Sequence, residues 1–308
     1  MQYRSVHRIA NPISRIAIGT WFFGDRVAKN DALDCLACAV DSGINHIDTA
    51  DVYARGEAQS IVGEFLKSQS RSSLFVSSKC YFPTGGAQHE RGLSREHILA
   101  SVNESLRRLN TDYLDILYCH RFDVETPLEE TIQVLNELTD QGKIRYWGTS
   151  MWKPSNISAA LEICGSNRPL FEQSLYNLLE RQVVEPVLYN FLLREKIGLV
   201  AWSPLCGGIL SGKYLNHIPA NSRVTYMPQL LDQIERTRTI VDRLNVLAHQ
   251  IGYEANHLSL AWLLNKPHLA GLVIGCSSKE QLVSNLHAVE LPYTDSLDEK
   301  VSQIITPD

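Results

Sequence analysis

The first residues, Met1-Gln2-Tyr3-Arg4-Ser5-Val6-His7-Arg8, lack the apolar core of a secretory signal. No apolar run in the 308 residues is long enough to span a bilayer. Positive charge is not in excess. The net charge is −5 and the sequence pI about 6.1, which argues against a nucleic-acid partner or an anionic membrane surface but leaves room for a local basic pocket around one phosphate. Seven cysteines form an odd, scattered set, unlike a secreted disulfide framework, so a reduced cytoplasmic compartment is expected. Cys35 and Cys38 have C-x-x-C spacing but sit in an apolar helical pattern with no second pair nearby, as core residues do. There is no H-E-x-x-H and no paired cysteine cluster, so no metal is expected. No composition break or linker divides the chain, and residues 1–308 are expected to form one domain.

What is present is a regular alternation. At 44% hydrophobic and 20% charged, the chain can bury a large core. Strand patterns fall at 15–20, 44–48, 74–79, 113–119, 144–150, 170–175, 198–202 and 272–275. Helical patterns fall between them at 31–42, 57–67, 96–109, from about 126 to 142, then 157–164, 183–195, 232–251 and 256–264, with a last one at 279–289. Thr126, Pro127 and Glu129 read as a cap, a first-turn proline and a capping box. A loop at 80–92 and a long connection at 203–231 interrupt the rhythm, and the tail from about 291 should cover part of the exterior or mouth. Eight strand–helix units in order predict a closed parallel (β/α)8 TIM barrel. An open doubly wound sheet is the alternative, disfavoured because no G-x-G-x-x-G follows the first strand.

In such a barrel, chemistry gathers at the C-terminal ends of the strands. Asp48 ends the second strand, and Tyr53 follows five residues later. Lys79 ends the third, and His120 follows the fourth. Taken singly, each has a bland reading: a packed tyrosine, a solvated lysine, a structural histidine. Together, a carboxylate, a lysine and a tyrosine suggest a phenol acid tuned by a cation. A lysine at a strand end also permits Schiff-base chemistry. Trp21, Phe22, Tyr81, Phe82, Phe122 and Trp152 all follow strands and are candidates for an apolar pocket wall.

The motifs as a set resemble the aldo-keto reductase superfamily. They are I-D-T-A-D-V-Y at 47–53, Lys79, L-D-I-L-Y-C-H-R at 114–121, W-G-T-S at 147–150, Q-S-L-Y-N-L-L-E-R at 173–181, A-W-S-P-L-C-G-G-I-L-S-G-K-Y at 201–214 and I-G-C-S-S-K-E-Q-L-V-S-N at 274–285. The similarity covers nearly the whole chain and looks strongest to the branch holding potassium-channel β subunits and microbial aldehyde reductases. It implies a catalytic tetrad of Tyr53, Lys79, Asp48 and His120, and a nicotinamide dinucleotide, NADPH with NADH as the other possibility. Ser150 and Gln173 would hold the carboxamide, and Trp202 would stack on the nicotinamide ring. Ser203, Leu205, Gly207 and Lys213 would line the pyrophosphate. Ser277, Gln281 and Asn285 would hold the adenosine end. Thr20, Trp21, Asp48, Pro204, Arg223 and Gly275 complete the implied cofactor set.

Two positions depart from the common pattern. Met151 stands where many members have asparagine. Gln281 stands where many have an arginine for the 2′-phosphate, leaving Lys279 or Arg223 to supply that charge. Channel β subunits tend to replace the tetrad histidine, whereas this chain keeps His120. The resemblance implies an NAD(P)H-dependent reductase of a small aldehyde or ketone, with a cofactor-sensing binding module or a Lys79 aldolase as rivals.

Overall fold

The computed structural model describes residues 1–6, 8–9, 11–84, 91–220 and 222–306; residues 85–90 of the expected 80–92 loop lie outside them. An antiparallel pair comes first, β1 (Tyr3–Arg4) with β2 (Ile13–Ser14). The alternation follows as β3 (Ile16–Gly19), α1 (Lys29–Asp41), β4 (His46–Asp48), α2 (Glu57–Leu66), β5 (Phe75–Cys80), α3 (Arg95–Leu109), β6 (Leu114–Cys119) and α4 (Leu128–Asp140). It continues as β7 (Ile144–Ser150), α5 (Pro154–Ile163), β8 (Phe171–Leu175), α6 (Val187–Glu195) and β9 (Gly198–Trp202). Two helices, α7 (Leu230–Gln250) and α8 (Ala255–Leu264), precede β10 (Leu269–Gly275), and α9 (Lys279–Leu286) and α10 (Asp295–Ile305) end the chain. Strands β3 to β10 are parallel and close in chain order, β10 pairing with both β9 and β3. The expected (β/α)8 barrel is the observed one.

Strand alternation explains how the interior is divided. Side chains two apart share a face. Phe75, Ser77 and Lys79 therefore line one face of β5, and Ile116 and Tyr118 one face of β6, with His120 next in that series. The apolar members come early: Ala17, Phe75, Ile116, Phe171 and Val200 belong to one interior cluster. Ile13 of β2 joins that cluster, so the short antiparallel pair covers the barrel's N-terminal end. The polar members come late, at the opposite end. Alternate residues such as Val76, Leu117 and Leu199 face outward into a larger cluster shared with the helices.

Several local expectations shift. Lys79 is the last residue but one of β5 and not its end, because β5 extends to Cys80 against Cys119. The capping box before α4 does not form. Thr126 Oγ1 donates to Asp123 Oδ2 at 2.7 Å, and the cap position passes to Pro127. Helix α6 starts four residues later than expected, with Pro186 at its cap. The tail forms α10, which buries Leu297, Val301 and Ile305 and packs on α7. The antiparallel pair went unforeseen because two-residue strands carry no period.

Helices α2 and α3 approach closely at Gly63. A Cβ there would stand 2.1 Å from the backbone oxygen of Arg108. Backbone cannot swing aside as a side chain can, so Gly63→Ala must push α2 off α3. Overpacking of this kind costs about 1–3 kcal/mol, and a thermal melt should show the midpoint falling by several degrees, roughly 2–4 °C per kcal/mol. An unshifted melt would show that the two helices tolerate separation.

Candidate functional site

Four predicted residues meet at the C-terminal mouth. Lys79 is 1% exposed and Asp48 2%, so neither charge could remain there alone. They form an ion pair, Lys79 Nζ donating to Asp48 Oδ1. Lys79 Nζ also donates to the Thr49 carbonyl at 2.9 Å. The second carboxylate oxygen of Asp48 accepts from Ser77 Oγ at 2.9 Å and from Gln173 Nε2 at 3.0 Å. The backbone of Asp48 is held as well, its carbonyl accepting from Thr20 N at 3.0 Å and Thr20 Oγ1 at 3.2 Å. The Lys79 ammonium lies 5.0 Å from the centroid of the Tyr53 ring, and Tyr53 meets the His120 ring edge-on at 6.2 Å.

The electrostatics correct one expectation. Lys79 was expected to bring the Tyr53 phenol down toward neutral pH. Burial pushes it up more strongly, Lys79 lowers it, Asp48 raises it again, and the net direction is upward. Tyr53 therefore stays protonated at neutral pH. Burial lowers the Lys79 pKa, but Asp48 and Tyr53 outweigh it and the net direction is up, so Lys79 is an ammonium. His120 is lowered to about 2 by burial, then by Lys79 and Arg121. Its imidazole is neutral across the whole physiological range and can donate a hydrogen bond but no imidazolium proton.

Ser150 and Gln173 are partners in the β7–β8 register, and both are buried. Between them the chain turns through Met151, which takes a left-handed φ of 59°. Glu172, which drew no attention in the sequence, holds this turn. Its carboxylate accepts from Met151 N at 2.6 Å, Ser174 Oγ at 2.7 Å and Thr149 Oγ1 at 2.5 Å. Its position next to Gln173 was the available signal. Ser77 was also missed, and the period of two running back from Lys79 would have found it.

A glycine-containing turn follows β9. Trp202 is half-buried at the strand end. Ser203, Cys206, Gly207 and Gly208 all have positive φ, so left-handed backbone at the two glycines interrupts the 3-10 run Cys206–Ser211, and Cys206 N and Gly208 N donate within the turn, to the Ser203 and Leu205 carbonyls at 2.9 Å. A Cβ on Gly208 would come 2.6 Å from Lys213 Cε; the bare backbone lets Lys213 lie across the turn. Desolvation and the like charge of Arg223 lower the Lys213 pKa. Arg223 lies over Trp21 at 5.2 Å and Phe22 at 4.7 Å, so two cations and Trp21 gather beside the turn. Pro204 and Leu205 lead into it. Phe22 lies beside Gly275, 3.7 Å from where a Cβ would stand.

On α9 the predicted residues are tied to one another or to neighbours. Gln281 Oε1 accepts from Ser277 N at 3.1 Å and Ser277 Oγ at 2.9 Å. Asn285 Oδ1 accepts from Asn256 Nδ2 at 3.0 Å. Lys279 pairs with Asp34 at 3.3 Å on the surface. Arg223 and Lys279 thus stand apart, one over Trp21 and the other on Asp34. Among the described residues no group of three His, Cys, Asp or Glu is placed to hold a metal ion, and no helix is long and apolar enough to cross a membrane.

A buried lysine–carboxylate pair beside a protonated tyrosine and a neutral histidine can protonate, and hydrogen-bond to, an oxygen that gains negative charge. Residues 15–305 match the aldo/keto reductase family; the chain belongs to it. Members of this family are NAD(P)H-dependent oxidoreductases that act on small carbonyl compounds. The chain is 34% identical to a "Probable voltage-gated potassium channel subunit beta" of Arabidopsis thaliana, over 99% of this chain and 97% of that one. It is also 34% identical to a protein of the same description from Oryza sativa subsp. japonica, over 94% and 92% respectively.

Glu172 makes a pH test possible. Burial pushes its carboxyl up to about 7 against its hydrogen-bond donors, whereas an unfolded glutamate titrates near ~4.3. The folded state therefore binds more protons between those values, and its stability falls as pH rises through that window. Glu172→Gln removes this term. Its deficit in melting temperature relative to wild type should shrink from pH 5 to pH 8, by the equivalent of roughly 3 kcal/mol at most. A deficit that stays constant over the range would mean that Glu172 is ionised throughout.

Proposed function

We propose that this chain is an NADPH-dependent reductase of small aldehydes or ketones, one barrel domain with one site at its mouth. The observation that carries the reading is the buried Lys79–Asp48 pair set against a protonated Tyr53 with a neutral His120 beside it. The bare Gly208 turn under Lys213, with Arg223 close by, fits a pyrophosphate. Ser150 and Gln173 would hold the carboxamide, Trp202 the ring, and Ser203, Pro204, Leu205, Gly207 and Lys213 the phosphates. Thr20, Trp21, Arg223, Gly275, Ser277, Gln281 and Asn285 would complete the cofactor's contacts. When bound, the dinucleotide supplies the hydride.

The residues of the chain handle the proton. Tyr53 donates it to the carbonyl oxygen. Lys79 stabilises the phenolate left behind, and Asp48 keeps Lys79 charged and aimed. His120, neutral, donates a hydrogen bond to the same oxygen as charge develops there. The ammonium state of Lys79 speaks against a Schiff-base aldolase, which needs the free amine. A second reading has a specific basis: two relatives matched along nearly their whole length are described as channel β subunits. A cofactor-sensing subunit would bind NADPH and a membrane partner while turning over little. Steady NADPH consumption with an aldehyde panel, run beside a channel pull-down, separates the two.

Tyr53→Phe removes only the hydroxyl, so cofactor affinity should barely move while single-turnover reduction slows by ~10²–10⁴. Lys79→Met should cost a comparable factor. The double variant should be little worse than either single one, because both changes disable the same proton transfer. Near-wild-type rates for Tyr53→Phe would remove Tyr53 as the acid.

Cofactor choice is tested separately. The Lys279–Asp34 pair is exposed, so its cost of rearrangement is small, and Lys279 is free to turn to a 2′-phosphate. The dissociation constant should be lower for NADPH than for NADH, and Lys279→Ala should raise the first and spare the second. Equal constants in the wild type would make NADH an equal cofactor.

A further inference from the structure

Arg121 is a cation at the mouth that the reading above does not use. It follows His120 directly and is half-exposed. One guanidinium nitrogen, Nη1, donates to the His120 carbonyl at 2.5 Å. Among the described residues it forms no ion pair, so the remaining donors of its fork are uncommitted. The Phe82 ring bridges it to the site: its centroid lies 4.8 Å from the His120 ring and 5.4 Å from Arg121 Cζ. Its charge reaches the reacting groups, lowering the pKa of both Tyr53 and His120. The carboxylate nearest in effect, Glu172, is fully buried and already occupied by the β7 turn.

We infer that Arg121 selects carbonyl substrates bearing a carboxylate, held by the guanidinium fork while the carbonyl faces Tyr53 and His120. This rests on the reductase reading and narrows its substrate class. The fork suits a planar carboxylate bidentately. The half-buried rings of Tyr81 and Phe82, set edge to face 5.3 Å apart, provide apolar surface for the part between the two polar ends. An aromatic or short aliphatic aldehyde acid matches that spacing of features. A neutral aldehyde leaves a half-buried cation without its partner.

The test compares 4-carboxybenzaldehyde with its methyl ester, which keeps the ring and the aldehyde and loses the charge. The wild type should show a kcat/KM at least about 10-fold higher for the acid. Arg121→Leu should lose about 10- to 100-fold on the acid, mostly through KM, and far less on the ester. Arg121→Lys should recover part of the loss. Terephthalate, which cannot be reduced, should bind to the wild type and not to Arg121→Leu by calorimetry, a readout independent of turnover. Equal losses on acid and ester, a wild type that prefers the ester, or a rise in the NADPH dissociation constant of Arg121→Leu would each overturn the assignment. A wild type that oxidises NADPH with neither aldehyde defeats the reductase reading itself, whereas turnover of the ester alone defeats only this one.

Discussion

The mouth of the barrel is organised by one ion pair, Lys79 with Asp48. Both side chains are withdrawn from water. Desolvating two charges costs several kcal/mol per ion, and mutual attraction offsets it only when further hydrogen bonds satisfy both groups. The structure supplies those bonds from two strands and from the residues directly after two others: Thr49 for the ammonium, Ser77 and Gln173 for the carboxylate, Thr20 for the Asp48 carbonyl. Removing either charge alone would leave the other buried and unpaired, a defect of about 3–5 kcal/mol. An apolar pair would be expected to fold at least as well, so stability does not explain why the charges are kept. In the proposed reading their use is electrostatic, at the phenol beside them.

Around the pair, burial sets the protonation states more than charge does. Burial is the largest effect on both Tyr53 and His120, and it holds one protonated and the other neutral. A site so arranged presents two hydrogen-bond donors to a carbonyl oxygen and one cation behind them. Cations outside the pair are segregated by position. Lys213 and Arg223 gather at the turn after β9, Lys279 lies on α9, and Arg121 stands across the mouth beside Phe82. In the proposed reading, these are the places where a chain of net charge −5 would meet the cofactor phosphates and a substrate carboxylate.

Much of this was legible beforehand. Period-two and helical patterns located all eight barrel strands, and a strand end is where a barrel places its chemistry, so Asp48, Lys79 and His120 could be named together. The misses have common physical causes. The pair β1 and β2 is too short to show a period. Thr126 had a competing acceptor in Asp123, which no local rule could foresee. Glu172 adjoins one motif and Arg121 closes another, but a charged residue at a motif's edge has no distinguishing pattern until its burial and partners are known.

By itself, then, the sequence determined the strand–helix alternation and the identity of the residues named at the mouth. These are local properties, written in spacing and side-chain type. The tertiary structure alone decided that Gln173 reaches Asp48 across 125 positions, that Lys279 meets Asp34, and that the Tyr53 pKa moves up and not down. Hydrogen-bond partnership across strands depends on barrel closure and register. The sign of a pKa shift is a balance of burial against neighbouring charge, and both terms are sums over residues that only folding brings together.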